Sequence, residues 1–253
     1  MKIRNYLLIF FALVVPSILI ISSLMQGNIS FWYDPARDLL TAWDKFTLIG
    51  PTSGIPGIFY GAYWMWLLRF GLFFSKDPIV VILITATIPY LFLFSFIWFR
   101  FTKFFGLTPV VIGWILFILG SGMVYATGLW NPYPAPLLTL AIIYFLITIP
   151  FEKTTKAYLS QNILLGFLLG VVINFHISFG ITLLFGVLIF LSKNLFMEMY
   201  KAKQKRFKQI LPILISYGAI SVGFTIAYLP TILFEIRHGF AQTNTLITAL
   251  TRI

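Results

Sequence analysis

Cysteine is absent from this 253-residue chain, and histidine occurs only twice. The first absence excludes disulfides, thiolate catalysis and cysteine-ligated metals together, and leaves the redox compartment unread. Two histidines and seven carboxylates are too few for a conventional metal cluster, so no metal or other cofactor is expected and divalent-metal dependence stays open. Charge is scarce as well: 10% of residues are charged, against 60% hydrophobic. Soluble globular domains do not show this balance, so the composition predicts an all-α, polytopic integral membrane protein. The net charge of +11 does not point to nucleic acid. Its Lys and Arg residues sit in short connections between apolar runs, where a positive excess marks the cytoplasmic side.

The few acidic residues are unevenly spread. Asp34, Asp38 and Asp44 fall within eleven positions, just past the first apolar run. That run, about residues 6–25 behind Lys2 and Arg4, is long enough to cross roughly 30 Å of hydrocarbon and reads as an uncleaved signal anchor. Residues 26–77 then form the first outer loop. Asp34-Pro35 is a helix-start signal, with an acceptor at N-cap and proline at N1. The following helix is amphipathic: Leu39, Leu40, Trp43 and Phe46 make its apolar stripe, and Asp34, Arg37, Asp38, Thr41 and Lys45 lie opposite. Such helices lie along the membrane surface. Gly50-Pro-Thr-Ser-Gly-Ile-Pro-Gly57 is a turn-forming run expected to be irregular. The aromatic segment 59–74 follows, with Tyr60, Tyr63, Trp64, Trp66 and Arg69.

Further spans are expected near 78–99, 107–128, 135–151, 159–175, 178–192 and 210–233. If 59–74 stays interfacial or re-entrant, the inner side holds Lys2, Arg4, Arg100, Lys103, Lys153, Lys156, Lys193, Lys201, Lys203, Lys205, Arg206 and Lys208, most of the eighteen basic residues. If it crosses, the dense run Lys201–Lys208 lands outside, against the positive-inside rule. Seven spans therefore follow, in a single transmembrane domain over 1–253 with a cytoplasmic N-terminus. The same parity puts the acidic loop, Trp130–Pro134, Asn174–His176 and Glu235–His238 on one outer face.

Tyr33-Asp-Pro-Ala-Arg-Asp38 behind a signal-anchor span, the Gly50–Gly57 turn with its aromatic helix, and Arg237-His238-Gly239-Phe240 after a late span resemble bacterial GT-C glycosyltransferases. The similarity is to the protein O-mannosyltransferase and lipid A aminoarabinose transferase group. It is specific over about 33–60 and 230–240. The resemblance implies a GT-C fold and transfer of a hexosyl or pentosyl group from a polyprenyl-phosphate carrier to a lipid, glycan or protein acceptor. This would occur at the outer, periplasmic face of the inner (plasma) membrane, within the cell envelope. It places Asp34 at the position of the family's catalytic aspartate and Arg37 at that of its arginine. Pro35 stands where the family has a glutamate, so a second carboxylate role is absent or falls to Asp38. Family members are longer, so the chain is expected to be either a complete enzyme or the N-terminal part of one.

Such a transfer develops positive charge on the sugar and negative charge on the departing phosphate, requiring a carboxylate near the acceptor hydroxyl and cations near the phosphate. Asp34 reads either as that base or as a plain helix cap. Arg37 and Asp38 read as orienting Asp34 or contacting phosphate, or as an exposed pair. Lys45, Arg237 and His238 are phosphate candidates beside their solvated readings. Thr52 and Ser53 offer hydroxyls or merely build a turn, and Tyr60 offers an aromatic face that suits a polyprenyl chain. His176 reads as a satisfied buried histidine. The alternative from another class is a non-catalytic binder or transporter of lipid-linked glycan, or an inactive fragment; a transporter would carry charge at mid-span, where this chain has almost none.

Overall fold

Apolar runs and the residues that interrupt them set the order of elements. The computed structural model describes residues 3–151, 155–202 and 211–251. Its helices are α1 (Ile3–Met25), α2 (Tyr33–Asp44), α3 (Tyr63–Phe74), α4 (Pro78–Phe105), α5 (Leu107–Ala126), α6 (Ala135–Thr148), α7 (Lys156–Phe175), α8 (Ile177–Ala202), α9 (Leu211–Arg237) and α10 (Ala241–Thr251). Among the described residues, five helices are long and apolar enough to cross a membrane: α4, α5, α7, the Ile177–Met197 part of α8, and α9. Ile9–Met25 and α6 are shorter apolar helices. Helices satisfy their own backbone groups, as hydrocarbon demands. Large side chains such as Phe11, Ile18, Phe185, Ile189, Leu229 and Leu233 are exposed, which suits a lipid surround and not water. The chain is an all-α membrane protein. The aromatic α3 has 12 residues, a rise of about 18 Å, short of the roughly 30 Å hydrocarbon core. Of the basic residues that set the expected orientation, Lys2, Lys153, Lys203, Lys205, Arg206 and Lys208 lie outside the described residues.

The Gly50–Gly57 run is not wholly irregular. Strands β1 (Ile49–Thr52) and β2 (Phe59–Gly61) pair antiparallel, with Ile49 opposite Gly61 and Thr52 opposite Phe59. Pro51 is tolerated because a two-stranded ribbon leaves every strand an edge. Gly57, at φ 81°, supplies the left-handed turn between them.

The chain divides into two compact units, Met1–Phe46 with Met65–Leu140, and Thr47–Trp64 with Ala141–Ile253. In the first, Pro89 lacks an N–H and its ring cannot sit beside the carbonyl four residues earlier. Here α4 widens into two π-type stretches, Leu83–Thr87 and Pro89–Phe94. Tyr90, Phe94 and Trp98 stack in succession with centroids 5.5 Å apart, and Phe117 of α5 lies 4.4 Å from Phe94. Three polar side chains of this unit find backbone carbonyls. Trp114 Nε1 donates to Ala12 O at 2.7 Å, Trp98 Nε1 to Val110 O at 2.8 Å, and Thr87 Oγ1 to Ala126 O at 2.6 Å. Unpaired, each would carry the full penalty of a polar group in an apolar medium.

The second unit is built on α7 against α9. Gly166 lies on the Ile220 carbonyl, Gly223 on the Ile163 carbonyl, and Gly170 beside Ala227. Small residues four apart let two membrane helices approach until backbones touch, where dispersion replaces the missing hydrophobic drive. Ser216 Oγ donates to Phe151 O at 2.9 Å and Tyr217 OH to Leu191 O at 2.6 Å, so both hydroxyls are paired.

Candidate functional site

The face that α2 buries differs from the expected stripe: Pro35, Asp38, Leu39 and Ala42 are buried, whereas Leu40, Trp43 and Phe46 are exposed, so Asp38 belongs to the packed side and not to the polar one. The helix starts earlier than Asp34-Pro35 implied. Trp32 is the N-cap, in extended conformation with no side-chain cap, and the Ala36 N–H closes the first turn on the Trp32 carbonyl at 3.1 Å. The cap reading of Asp34 is thereby overturned. Its carboxylate stands within the first turn and pairs with Arg37, Oδ1 to Nη1, at 3.0 Å.

Arg37 is held from its other side as well. Its Nε and Nη2 donate to Asp38 Oδ1 at 3.0 and 2.8 Å. Asp38 is 2% exposed, whereas the Asp34 side chain is 42% exposed. The order runs outward from a buried carboxylate, through a guanidinium, to an open carboxylate. Burial disfavours the Arg37 charge, but the Asp38 hydrogen bonds and the charges of Asp38 and Asp34 outweigh it and hold its pKa above the ordinary value. Asp34 Oδ2 has no partner among the described residues, so lone pairs remain for a hydroxyl or its proton. Lys45 follows as the C-cap, exposed and without an ion pair among the described residues. The loop that the sequence put on the same face comes to this cluster's threshold: Ser30 bridges to Gly128, and the Trp32 and Trp130 rings meet at 5.5 Å.

The remaining predicted residues belong to the second unit. Thr52 ends β1, exposed. Ser53 Oγ accepts from Ile55 N–H at 3.1 Å and donates to Ile55 O at 3.2 Å, the plain-turn reading. Tyr60 stacks on His176 at 5.7 Å, and burial pushes its phenol pKa up. His176 is half-buried and accepts from the Phe179 N–H at 3.3 Å through Nδ1, at the start of α8. His238 stacks on Phe234 at 4.1 Å, with Nδ1 2.8 Å from the Phe234 carbonyl. Arg237 is exposed and makes no ion pair among the described residues.

Glu235, which the sequence set beside Arg237, is turned elsewhere. It is buried, and its carboxylate accepts the Gln242 and Thr243 N–H groups at 3.1 and 3.0 Å and the Thr243 hydroxyl at 2.7 Å. These are orphan donors at the start of α10, satisfied by a charge at the positive end of its dipole. Gln242 Oε1 in turn accepts from Phe59 N–H at 2.7 Å, tying β2 to α10. Glu235→Ala is expected to leave those N–H groups unpaired, a loss of about 1–3 kcal/mol of local stability. Protease cleavage or amide exchange within Ala241–Thr251 should rise accordingly, and rise less in Glu235→Gln; equal protection in all three chains would remove the role.

Beside this junction lies a cavity of about 430 Å³ lined by apolar side chains such as Ile177, Ile181 and Phe224, with Asn174, Tyr228 and Gln242 as polar members. Sequence reading passed over Thr231, Tyr228 and Gln242. A signal existed for Asn174 and Glu235, polar residues at the ends of apolar spans. Within the second unit β2 meets Asn174 and His176 and is bonded to α10. No family model, curated protein or solved structure matches the chain. Fold and site define a polytopic all-α membrane protein carrying a carboxylate–guanidinium–carboxylate cluster at the start of a half-buried helix.

Proposed function

We propose that this chain is a GT-C-type membrane glycosyltransferase with seven spans, counting α1 and α6, and a cytoplasmic N-terminus. It moves a sugar from a polyprenyl-phosphate donor to a lipid, glycan or protein acceptor at the outer face of the plasma membrane. The reading rests on the half-open Asp34 carboxylate, one oxygen held by Arg37 and the other unpaired. In the proposed reaction the acceptor hydroxyl hydrogen-bonds to the free oxygen, its oxygen attacks the anomeric carbon, and the bond to the carrier phosphate breaks. The hydroxyl proton passes to Asp34, and the carrier leaves as the phosphate anion. Arg37 is committed to two carboxylates and Asp38 anchors it, so both act as positioning residues. Of the phosphate candidates, Lys45 and Arg237 make no ion pair among the described residues, and those are the cations to substitute.

The test is transfer of radiolabelled sugar from mixed polyprenyl-phosphate donors, native chain against Asp34→Asn at matched folded abundance. Transfer by the native chain that Asp34→Asn abolishes supports the reading. If both are inactive yet bind the carrier lipid, the chain is a binder, a second reading that the apolar cavity of the second unit favours. The topology has a separate check: a reporter fused after Lys208 should report the cytoplasm, and a periplasmic signal would overturn the seven-span parity.

A further inference from the structure

Within the first unit, α1 and α4 leave a groove of about 480 Å³ between them. Leu13 and Ser17 line it from α1, and Phe92, Ser95, Phe96 and Arg100 from α4. Residues four apart share a helix face, so each helix presents one continuous strip to the slot. The strip is apolar except at its two kinds of polar point. Arg100 is exposed at one end, its guanidinium carbon 4.6 Å from the Phe96 ring centroid, and it makes no ion pair among the described residues. Ser95 is 4% exposed, and its hydroxyl has no hydrogen-bond partner among the described residues. Ser17 differs, since its hydroxyl donates to the Leu13 carbonyl at 2.6 Å.

We propose that this groove holds an anionic glycerophospholipid, with its phosphate on Arg100, an ester carbonyl at Ser95 and an acyl chain along Phe92 and Leu13. The order of groups along α4 carries the assignment. A forked cation comes first, matched to phosphate oxygens. An unpaired hydroxyl follows five residues away, about 7.5 Å along the axis, and an ester oxygen would supply the acceptor a buried donor needs. Beyond it the lining is hydrocarbon, which suits a chain and offers nothing to a free anion. A zwitterionic lipid shares the chain and ester, but its own cation offsets the phosphate, so the single Arg100 selects net negative charge. The inference does not depend on the glycosyltransferase reading.

Thermal unfolding of the purified full chain in detergent, titrated with phosphatidylglycerol, phosphatidylcholine of the same chains, or sn-glycerol 3-phosphate, tests this. Phosphatidylglycerol should raise the midpoint saturably, and the other two should not. Arg100→Gln should weaken that response at least tenfold, and Ser17→Leu, which narrows the slot without touching charge, should weaken it too. Equal responses to phosphatidylcholine would mean bulk lipid only, and a response to sn-glycerol 3-phosphate would mean a simple anion site; either overturns the proposal. Should Arg100→Gln fail to fold, Ser17→Leu decides alone, and native-like binding by that variant rejects the slot.

Discussion

Leucine in place of Gly166 or Gly223 is expected to prevent the second unit from folding. At both positions a side chain would run into a backbone carbonyl, that of Ile220 or Ile163, and no rotamer change can move a carbonyl aside. Relief requires α7 and α9 to separate along their whole contact. Overpacking a core with flexible neighbours usually costs about 1–3 kcal/mol. Here the loss should exceed that range, and a total stability of about 5–15 kcal/mol leaves little margin. Even Gly166→Ala should fall well below native in folded yield, read as the monodisperse fraction in detergent. Gly218, on the same α9, faces open space, so Gly218→Ala is the control. It should be neutral or gain up to about 1 kcal/mol from helix propensity. A well-folded Gly166→Leu chain would show that the α7–α9 approach is not needed.

The second large effect falls on activity. Asp34→Asn keeps the shape of the side chain and its place beside Arg37 but removes the basic lone pair and the negative charge. General-base catalysis contributes about 10²–10⁴-fold, so transfer should drop by that factor with folded abundance unchanged. Asp38→Asn separates positioning from base chemistry. Its carboxylate is buried and meets Arg37 twice, so the variant should lower stability and transfer together while leaving the remaining activity dependent on Asp34. Removing one partner of a buried pair strands the other charge, the costlier half of such a change. Equal transfer by native and Asp34→Asn chains would exclude Asp34 as the base.

Much of this was legible because the bilayer imposes simple rules. Apolar runs of sufficient length gave α4, α5, α7 and α9 their approximate limits, but α8 runs on to Ala202 past its expected end at 192, and α2 packs Leu39 together with Asp38 while Leu40 and Trp43 of its expected stripe stay exposed. The Asp34–Arg37 pair could be read because neighbours three apart on a helix meet, whereas Arg37 reaches the adjacent Asp38, a contact that this spacing rule does not provide. The helix start was misplaced, since Asp-Pro is a start signal at more than one register and the Trp32 carbonyl closed the turn first. The cap made by Glu235 is not legible in the sequence, because its partners lie beyond a turn. That turn is set by two left-handed residues, Gly239 at φ 62° and Phe240 at φ 60°. A left-handed phenylalanine costs roughly 1–2 kcal/mol, and no local propensity announces it. The hairpin over 49–61 was hidden for a similar reason: its pairing partners are separated by the same Gly and Pro residues that argue for irregularity.

The two wide stretches of α4 alter the phase of everything after them. A π turn closes its hydrogen bond one residue later than an α turn, so a face drawn through α4 at 3.6 residues per turn drifts off its true line beyond Leu83. Tyr90, Phe94 and Trp98 keep one column at a steady spacing of four. A relative without Pro89, wound as ordinary α-helix over the same stretch, would have to drop residues from it to bring those rings, and Arg100 behind them, back to the same azimuth.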